Sequence, residues 1–544
     1  MTLFLGMCVF SSAWGQKHWV FFKDKGPEQT YYEQHPEGLL SARTLEKRMR
    51  KGIPIDETDY PVSKTYLDQL RNAGLYPEKA SKWLNAVSVD TDLDLAGLQE
   101  MCENVVSVRP VGTFILSRAA EEATPPPPVQ GTSTNAFTYG QSEFQVTQLN
   151  TDCMHDKGFT GDGVLVAVFD AGFRNMDTIA AFDSLWANNR VLQYWDFVNG
   201  DTTVFDENAH GMQVASCFAA FDDGTYVGTA PGVSLLLART ETVFEEVHQE
   251  EDNWLAAVEW ADSLGADMIQ SSLGYSTFDA GEGDYTYNDL DGNTAIITNA
   301  ADLAADKGIL VVSSAGNEGN GSWHYITAPC DADSILCVGA VNFFDERAGF
   351  SSVGPTADDR IKPDVMALGA GVTVIGTAGN VTFSSGTSFS APLVCGMVAC
   401  LIEAHPLRTN MEVIDAVRKS GDRAAVPDTA YGWGIPDACV ADSILSVLDS
   451  LAMATAEPVS PEGYFNIYPN PVESELIVEQ SNQKEIVTRM VMHSLSGQEI
   501  MRADLAGGNT GTQRIATGHL ADGMYILQLE TRSGKRFVHR FLKQ

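Results

Sequence analysis

Positive charge is what this chain has least of. It carries 35 Lys and Arg against 72 Asp and Glu, a formal net charge of −37. A phosphate backbone demands the opposite balance, so nucleic acid is excluded as a partner. Long apolar runs are missing as well. No stretch reaches the roughly 18 apolar residues of a membrane-crossing helix, so no transmembrane segment is expected. The nine cysteines show no spacing of the zinc-binding kind. The acidity is uneven: from Tyr464 onward nine Lys and Arg face eight Asp and Glu, so nearly all the negative excess lies before that point. Such acidity favours solubility or calcium recruitment and names no substrate. At 544 residues and 44% hydrophobic content the chain exceeds one ordinary core, and three or four units are expected.

What is present begins with Ser385-Gly386-Thr387-Ser388-Phe389-Ser390-Ala391-Pro392, followed by an apolar run. Val394, Met397, Val398, Leu401 and Ile402 predict a buried helix. Pro392 is expected in its first turn, where a missing N–H costs little. Ser388 then sits where free backbone N–H groups and the positive helix end favour developing negative charge, as a nucleophile requires. A Ser/Thr helix cap is the other reading of that motif alone. Val164-Leu165-Val166-Ala167-Val168-Phe169-Asp170 reads as a strand covered on both faces, as in a parallel sheet. Asp170 closes it at the carboxyl end, where open α/β sheets place their sites. A carboxylate there needs a partner and could fix an imidazole; His210 stands beside Gly211 at an apparent helix start, although a lone histidine is usually structural.

The order Asp170, His210, Ser388 within these local sequences resembles the subtilisin-like serine peptidases. Gly228-Thr229-Ala230-Pro231, Ser272-Leu273-Gly274, Ser314-Ala315-Gly316-Asn317-Glu318-Gly319, Gly354-Pro355 and Lys362-Pro363-Asp364-Val365 extend the likeness over roughly residues 141–449. The resemblance implies an Asp170–His210–Ser388 triad working through an acyl-enzyme. It implies Asn317 and the Ser388 N–H as oxyanion donors, and Ser272, Leu273 and Gly274 as the substrate-binding strand. A lipase-type elbow fits poorly, because Ser390 occupies the place of its second glycine. Departures are Met212 and Gln213 after His210-Gly211, Ala171 beside Asp170, and Leu368 where Ala-Pro-Gly is usual. The Met212 and Ala171 departures motivate the alternative of a catalytically silent, surface-displayed scaffold that acts as a binding protein. An esterase is a further rival.

The expected organisation is a signal peptide at 1–15, a small α+β pro-region at 16–120, a linker at 121–140, a catalytic domain at 141–450, a linker at 451–463 and a β-sandwich at 464–544. The fold class is α/β: a three-layer domain with a mostly parallel sheet between the two smaller units. In the pro-region, 41–50 and 63–73 read as helices. In the catalytic portion, 256–264 and 294–307 read as helices. Short alternating strands joined through Ser533-Gly534 predict the sandwich. Tyr468-Pro469-Asn470-Pro471, Ser494-Leu495-Ser496-Gly497 and Leu520-Ala521-Asp522-Gly523-Met524-Tyr525 resemble the C-terminal sorting domain of type IX secretion cargo. That implies the type IX machinery as a partner, passage through the periplasm of a Gram-negative bacterium, and a secreted or surface-attached product.

No cofactor is required for the chemistry; structural calcium is left open, as is any metal site. Asp289-Leu290-Asp291-Gly292-Asn293 lacks the rest of an EF-hand and reads as a turn capping the next helix. Tyr275, Phe278, Tyr285 and Tyr287 either shape the substrate cleft or pack as an ordinary loop. Setting aside Cys8 and Cys102 leaves seven cysteines. Cys330 and Cys337 are spaced to bridge a loop, whereas Cys395 and Cys400 read as packed thiols.

Overall fold

The apolar run ending in Asp170 forms the strand Leu165–Asp170, with all six residues buried. It stands inside a seven-stranded sheet ordered Val365–Leu368, Leu336–Val341, Leu310–Ser314, Met268–Ser271, Leu165–Asp170, Ser234–Arg239, Val191–Asp196. Every neighbouring pair is parallel. Burial on both faces explains why the strands read as continuous apolar runs. This is the expected α/β fold. The computed structural model describes residues 17–110, 136–242, 247–278, 283–455, 464–480, 486–494, 499–509, 512–532 and 535–544. The expected signal peptide, most of both linkers and the Ser533-Gly534 turn lie outside the described residues.

Contacts divide the chain into two units, one reaching Leu445 and the other holding Ser446–Gln544 with Met49–Gly52. In the first, a four-stranded antiparallel sheet runs Lys79–Ser81, Ala86–Asp90, Lys17–Phe22, Val105–Pro110. Strand alternation gives it two working faces. Val20, Phe22, Val87 and Val89 close a small core with Tyr66, Leu70 and Leu98. Trp19, Trp83 and Ala86 join the core of the large sheet instead, against Trp254, Leu255 and Val258. The helices expected at 41–50 and 63–73 are Ala42–Lys51 and Lys64–Asn72.

In the second unit, sheets of three and four strands share one core. Phe465, Leu476, Val478 and Ile515 come from the first, and Met490, Leu527, Leu529, Phe537 and Phe541 from the second. That is the two-layer sandwich expected of alternating strands.

Several expectations need correction. The buried helix expected after Ser388 is Thr387–Ala404; its length and composition would suffice to cross a membrane, but 83% of it is buried inside the fold. Pro392 is its sixth residue, not part of its first turn. Asp289 serves a capping box on the short helix Tyr287–Asp289 with Thr286. Asp291 accepts from Asn293 N and Thr294 N, and Ile296–Asp306 starts beyond both. With those oxygens taken by backbone N–H groups, the segment does not fit a calcium loop. Among the described residues no group of three or more His, Cys, Asp or Glu is arranged to hold a metal.

Tyr275 and Phe278 are core residues, stacked on each other and, through Phe278, on His248. Packing, not cleft shaping, is therefore their role. Cys330 and Cys337 form a disulfide, and Cys395 and Cys400 are buried free thiols. A second disulfide, Cys153–Cys439, joins positions 286 residues apart.

Candidate active site

Three elements deliver their ends to one edge of the parallel sheet. Asp170 closes a central strand and is fully buried. One of its oxygens accepts from the Ala171 N–H at 2.8 Å, so Ala171 anchors the carboxylate through its backbone. His210 opens the helix His210–Ala219. Its Nδ1–H donates to both Asp170 oxygens at 2.9 Å. A carboxylate only accepts, so Nδ1 carries the proton and Nε2 presents a lone pair on the far side of the ring. The helix start comes this close because Gly211 lacks a side chain. A Cβ there would lie 2.7 Å from Asp170 Cβ and from Gly172 O. The imidazole is 27% exposed, against none for its carboxylate.

Ser388 is the second residue of the helix Thr387–Ala404, entered through Gly386 at φ +146°, a conformation that favours glycine. Ser388 is 9% exposed. Its Oγ–H donates to Ser272 O at 3.4 Å, and among the described residues no hydrogen bond joins it to His210. Apo geometry of this kind commonly tightens only when substrate arrives. The Phe389 ring, one residue on, lies 5.6 Å from the imidazole.

Asn317 follows the strand Leu310–Ser314, and its Oδ1 accepts from Thr387 N at 2.9 Å and Thr387 Oγ1 at 3.1 Å. Two donors on that oxygen fix the carboxamide orientation and leave the NH2 free to donate. A carbon at the Cβ position of Gly386 would lie 3.7 Å from both Asn317 Nδ2 and Ser388 N. The two donors therefore border one space.

Ser272 does more than the sequence pattern indicates. Pro392 has no N–H to give the carbonyl four residues back, which is that of Ser388. Ser272 Oγ–H donates to that carbonyl at 2.7 Å, with Gln270 Nε2 donating to Ser272 Oγ at 2.9 Å. The four-residue spacing of Ser388 and Pro392 was the available signal. Leu273 is half-buried against the core and Gly274 is exposed. Thr387, which orients Asn317, was missed. The departures remove none of these groups: Met212 is buried in packing, and Leu368 N–H donates to Gln148 Oε1 at 2.8 Å.

A fully parallel α/β sheet with a carboxylate, an imidazole and a serine-bearing helix start at one edge is an arrangement suited to a serine-type hydrolase. Comparison with known proteins narrows the class. The Subtilase family, Peptidase_S8, matches residues 161–434. A "Peptidase S8 propeptide domain, Bacteroidota" matches 17–121, and a "Secretion system C-terminal sorting domain" matches 466–544. Subtilisin NAT of Bacillus subtilis subsp. natto is 33% identical over 52% of this chain and 68% of its own length. Subtilisin of Bacillus pumilus is 32% identical over 51% of this chain and 90% of its own. A solved protease from Pseudoalteromonas arctica aligns over 57% of this chain and 99% of its own, at 23% identity and a TM-score of 0.46. The chain belongs to the subtilase family. With its propeptide and sorting domains, it is a secreted or cell-surface serine-type peptidase.

Proposed function

We propose that Asp170, His210 and Ser388 hydrolyse peptide bonds, and that the first bond cut frees the enzyme from its own pro-region. His210 Nε2 takes the proton of Ser388 Oγ as that oxygen attacks the peptide carbonyl. Asp170 holds the tautomer and stabilises the imidazolium that forms. Asn317 Nδ2 and the Ser388 N–H receive the oxyanion, where developing charge meets donors already in place. His210 then returns the proton to the leaving amine, and water hydrolyses the acyl-enzyme. Asn317 is thus a donor to the transition state, while Thr387 and Ser272 position it and the nucleophile. Proteins or peptides are the substrates, and the sorting domain hands the chain to the type IX secretion machinery.

The observation that carries this reading is the His210 Nδ1–H bond to both Asp170 oxygens, which leaves Nε2 as the only base on that ring. Its test is intact-mass analysis of secreted wild type and Ser388→Ala, beside labelling by a fluorophosphonate. Wild type is expected to lose the region before about residue 141 and to label. Ser388→Ala should keep that region, fail to label, and turn over roughly a million-fold slower, the scale subtilisin itself shows. Normal trimming of Ser388→Ala would assign maturation to another protease. An unlabelled, properly trimmed wild type would make the chain a silent scaffold.

A further inference from the structure

A glutamine stands in a row of valines at the middle of the parallel sheet. Gln270 lies on the strand Met268–Ser271, opposite Val168 on one side and Val312 on the other. It is fully buried, and its Oε1 has no hydrogen-bond partner among the described residues. A buried amide left half satisfied costs free energy, so the half that is bonded calls for a reason. That half points at the nucleophile. Residues two apart on a strand share a face, and Gln270 Nε2 donates to Ser272 Oγ at 2.9 Å. Ser271, between them, turns the other way and accepts from Trp254 Nε1 at 3.1 Å.

The amide decides where one proton goes. A hydroxyl has a single hydrogen to donate. Because Ser272 Oγ accepts from Gln270, its own hydrogen is left for the Ser388 carbonyl, 2.7 Å away. With the amide ends exchanged, the Gln270 oxygen and that carbonyl would compete for the same hydrogen. The carbonyl has no helical donor, because Pro392 stands four residues on and lacks an N–H. Ser272 holds the nucleophile a second time through its own carbonyl, which accepts from Ser388 Oγ at 3.4 Å. The carbonyl of Ser388 is thus fixed from the strand, not from its own helix.

We propose that Gln270 is a positioning residue for the hydrolytic reaction. It acts through Ser272, not on substrate. By giving the Ser272 hydroxyl one direction, it holds the Ser388 backbone at the turn that aims Oγ toward His210 and the N–H toward the oxyanion. Displacing a reacting group by about 1 Å costs about 100-fold in rate. A hydroxyl that lost its direction is therefore felt in turnover and not in substrate binding. This rests on Ser388 being the nucleophile.

The test uses the matured enzyme and a fluorogenic peptide, with turnover expressed per site labelled by a fluorophosphonate, so that unfolded protein does not count. Gln270→Met keeps the length of the side chain and removes the donor. It should lower kcat by about 10- to 100-fold with KM within about twofold of wild type. In a Ser272→Ala background it should lower kcat no further, because the hydroxyl it acts through is gone. In a Pro392→Ala background an N–H again faces the Ser388 carbonyl, and Gln270→Met should cost less than about threefold. A glutamine that merely packs would cost the same in each background, and that result overturns the proposal. So does a raised KM with kcat unchanged. If Gln270→Met does not mature, Ser272→Ala alone carries the test: its loss of kcat should shrink in Pro392→Ala, and an undiminished loss overturns the proposal. Folded wild type that neither cleaves nor labels overturns the reading of Ser388 and this proposal with it.

Discussion

One helix, Gln249–Leu264, serves two regions of the molecule with two kinds of surface. Toward the parallel sheet it turns Trp254, Ala257, Val258 and Ala261, spaced three and four apart and buried with Leu165, Ala167, Phe169 and Ile269. The Trp254 ring meets Phe169 edge-on at 5.4 Å. Toward the pro-region it turns carboxylates spaced seven and three apart: Asp252, Glu259 and Asp262. Trp19 Nε1–H donates to Asp252 at 2.8 Å. Glu259 accepts from Ser81 Oγ at 2.5 Å and from the N–H groups of Lys82 and Trp83 at 3.0 and 3.1 Å. Arg48 grips Asp262 through both oxygens at 2.8 and 2.9 Å, while its other arm bonds Asp59 at 2.7 Å.

The contrast is between burial that water opposes undoing and burial that water helps undo. Apolar area exposed to water costs free energy in proportion to its extent. A buried ion pair has already lost its hydration and recovers it on separation, so it adds little net hold. Carboxylates therefore suit a partner that is to be removed, although Trp19 and Trp83 of the pro-region add apolar area to the same core cluster.

The largest effect should come from the apolar side. Trp254→Ala in a Ser388→Ala background removes a fully buried ring and should cost about 3 to 5 kcal/mol of global stability, read from urea unfolding by circular dichroism. Next comes Arg48→Met in the same background. It removes the shortest ion pair of the unexposed Asp59 and Asp262 carboxylates, leaving them Lys307 at 3.3 Å and Lys82 at 3.4 Å. It should weaken the docked state by roughly 3 kcal/mol. Hydrogen exchange is the readout. The strand Lys17–Phe22 should lose protection while Leu165–Asp170 keeps its own. Equal losses in both strands would erase the distinction between the two surfaces.

How much of this the sequence disclosed depended on whether a signal was local. Asp170, His210 and Ser388 each stand in a short pattern that marks a strand end or a helix start, and it was their order together, not any one pattern alone, that pointed to the candidate site. The shared helix was read only from Ala256, two residues past Trp254, where its apolar face begins. Its acidic first turn, Glu250, Glu251 and Asp252, resembles a solvated loop. In the fold it is buried, and acids suit a helix N-terminus. Cys153 and Cys439 offered no spacing to read across 286 residues. The placement of Pro392 was misjudged by taking a preference for the first turn as a position. The sixth place is tolerable here because Ser272, far away in sequence, serves the carbonyl that proline leaves free.

The smallest effect should be the most discriminating, because acid moves the two regions in opposite directions. Burial pushes the Asp252 carboxyl up to about 6, against the pull of Lys17 and Trp19 and with the repulsion of Glu251. A raised carboxyl is penalised in the docked state while it is ionised, above about pH 6. The penalty fades as pH falls toward the ordinary value near 3.8. Between pH 7 and 5 docking should therefore tighten by about 1 kcal/mol.

In the catalytic core, burial pushes His155 down to about 4. Its ring is held neutral between the Tyr139 hydroxyl at 2.8 Å and Thr229 O at 3.1 Å. The unfolded chain takes up that proton from about pH 6.5 downward and the fold does not, so core stability should fall by about 2 kcal/mol over the same interval. Hydrogen exchange of the Ser388→Ala precursor at pH 7 and pH 5 reads both at once. Protection should rise in Lys17–Phe22 and fall in Asp152–Asp156. Asp252→Asn should abolish the first change and spare the second. If that variant leaves both changes in place, Asp252 is not the group that couples docking to pH.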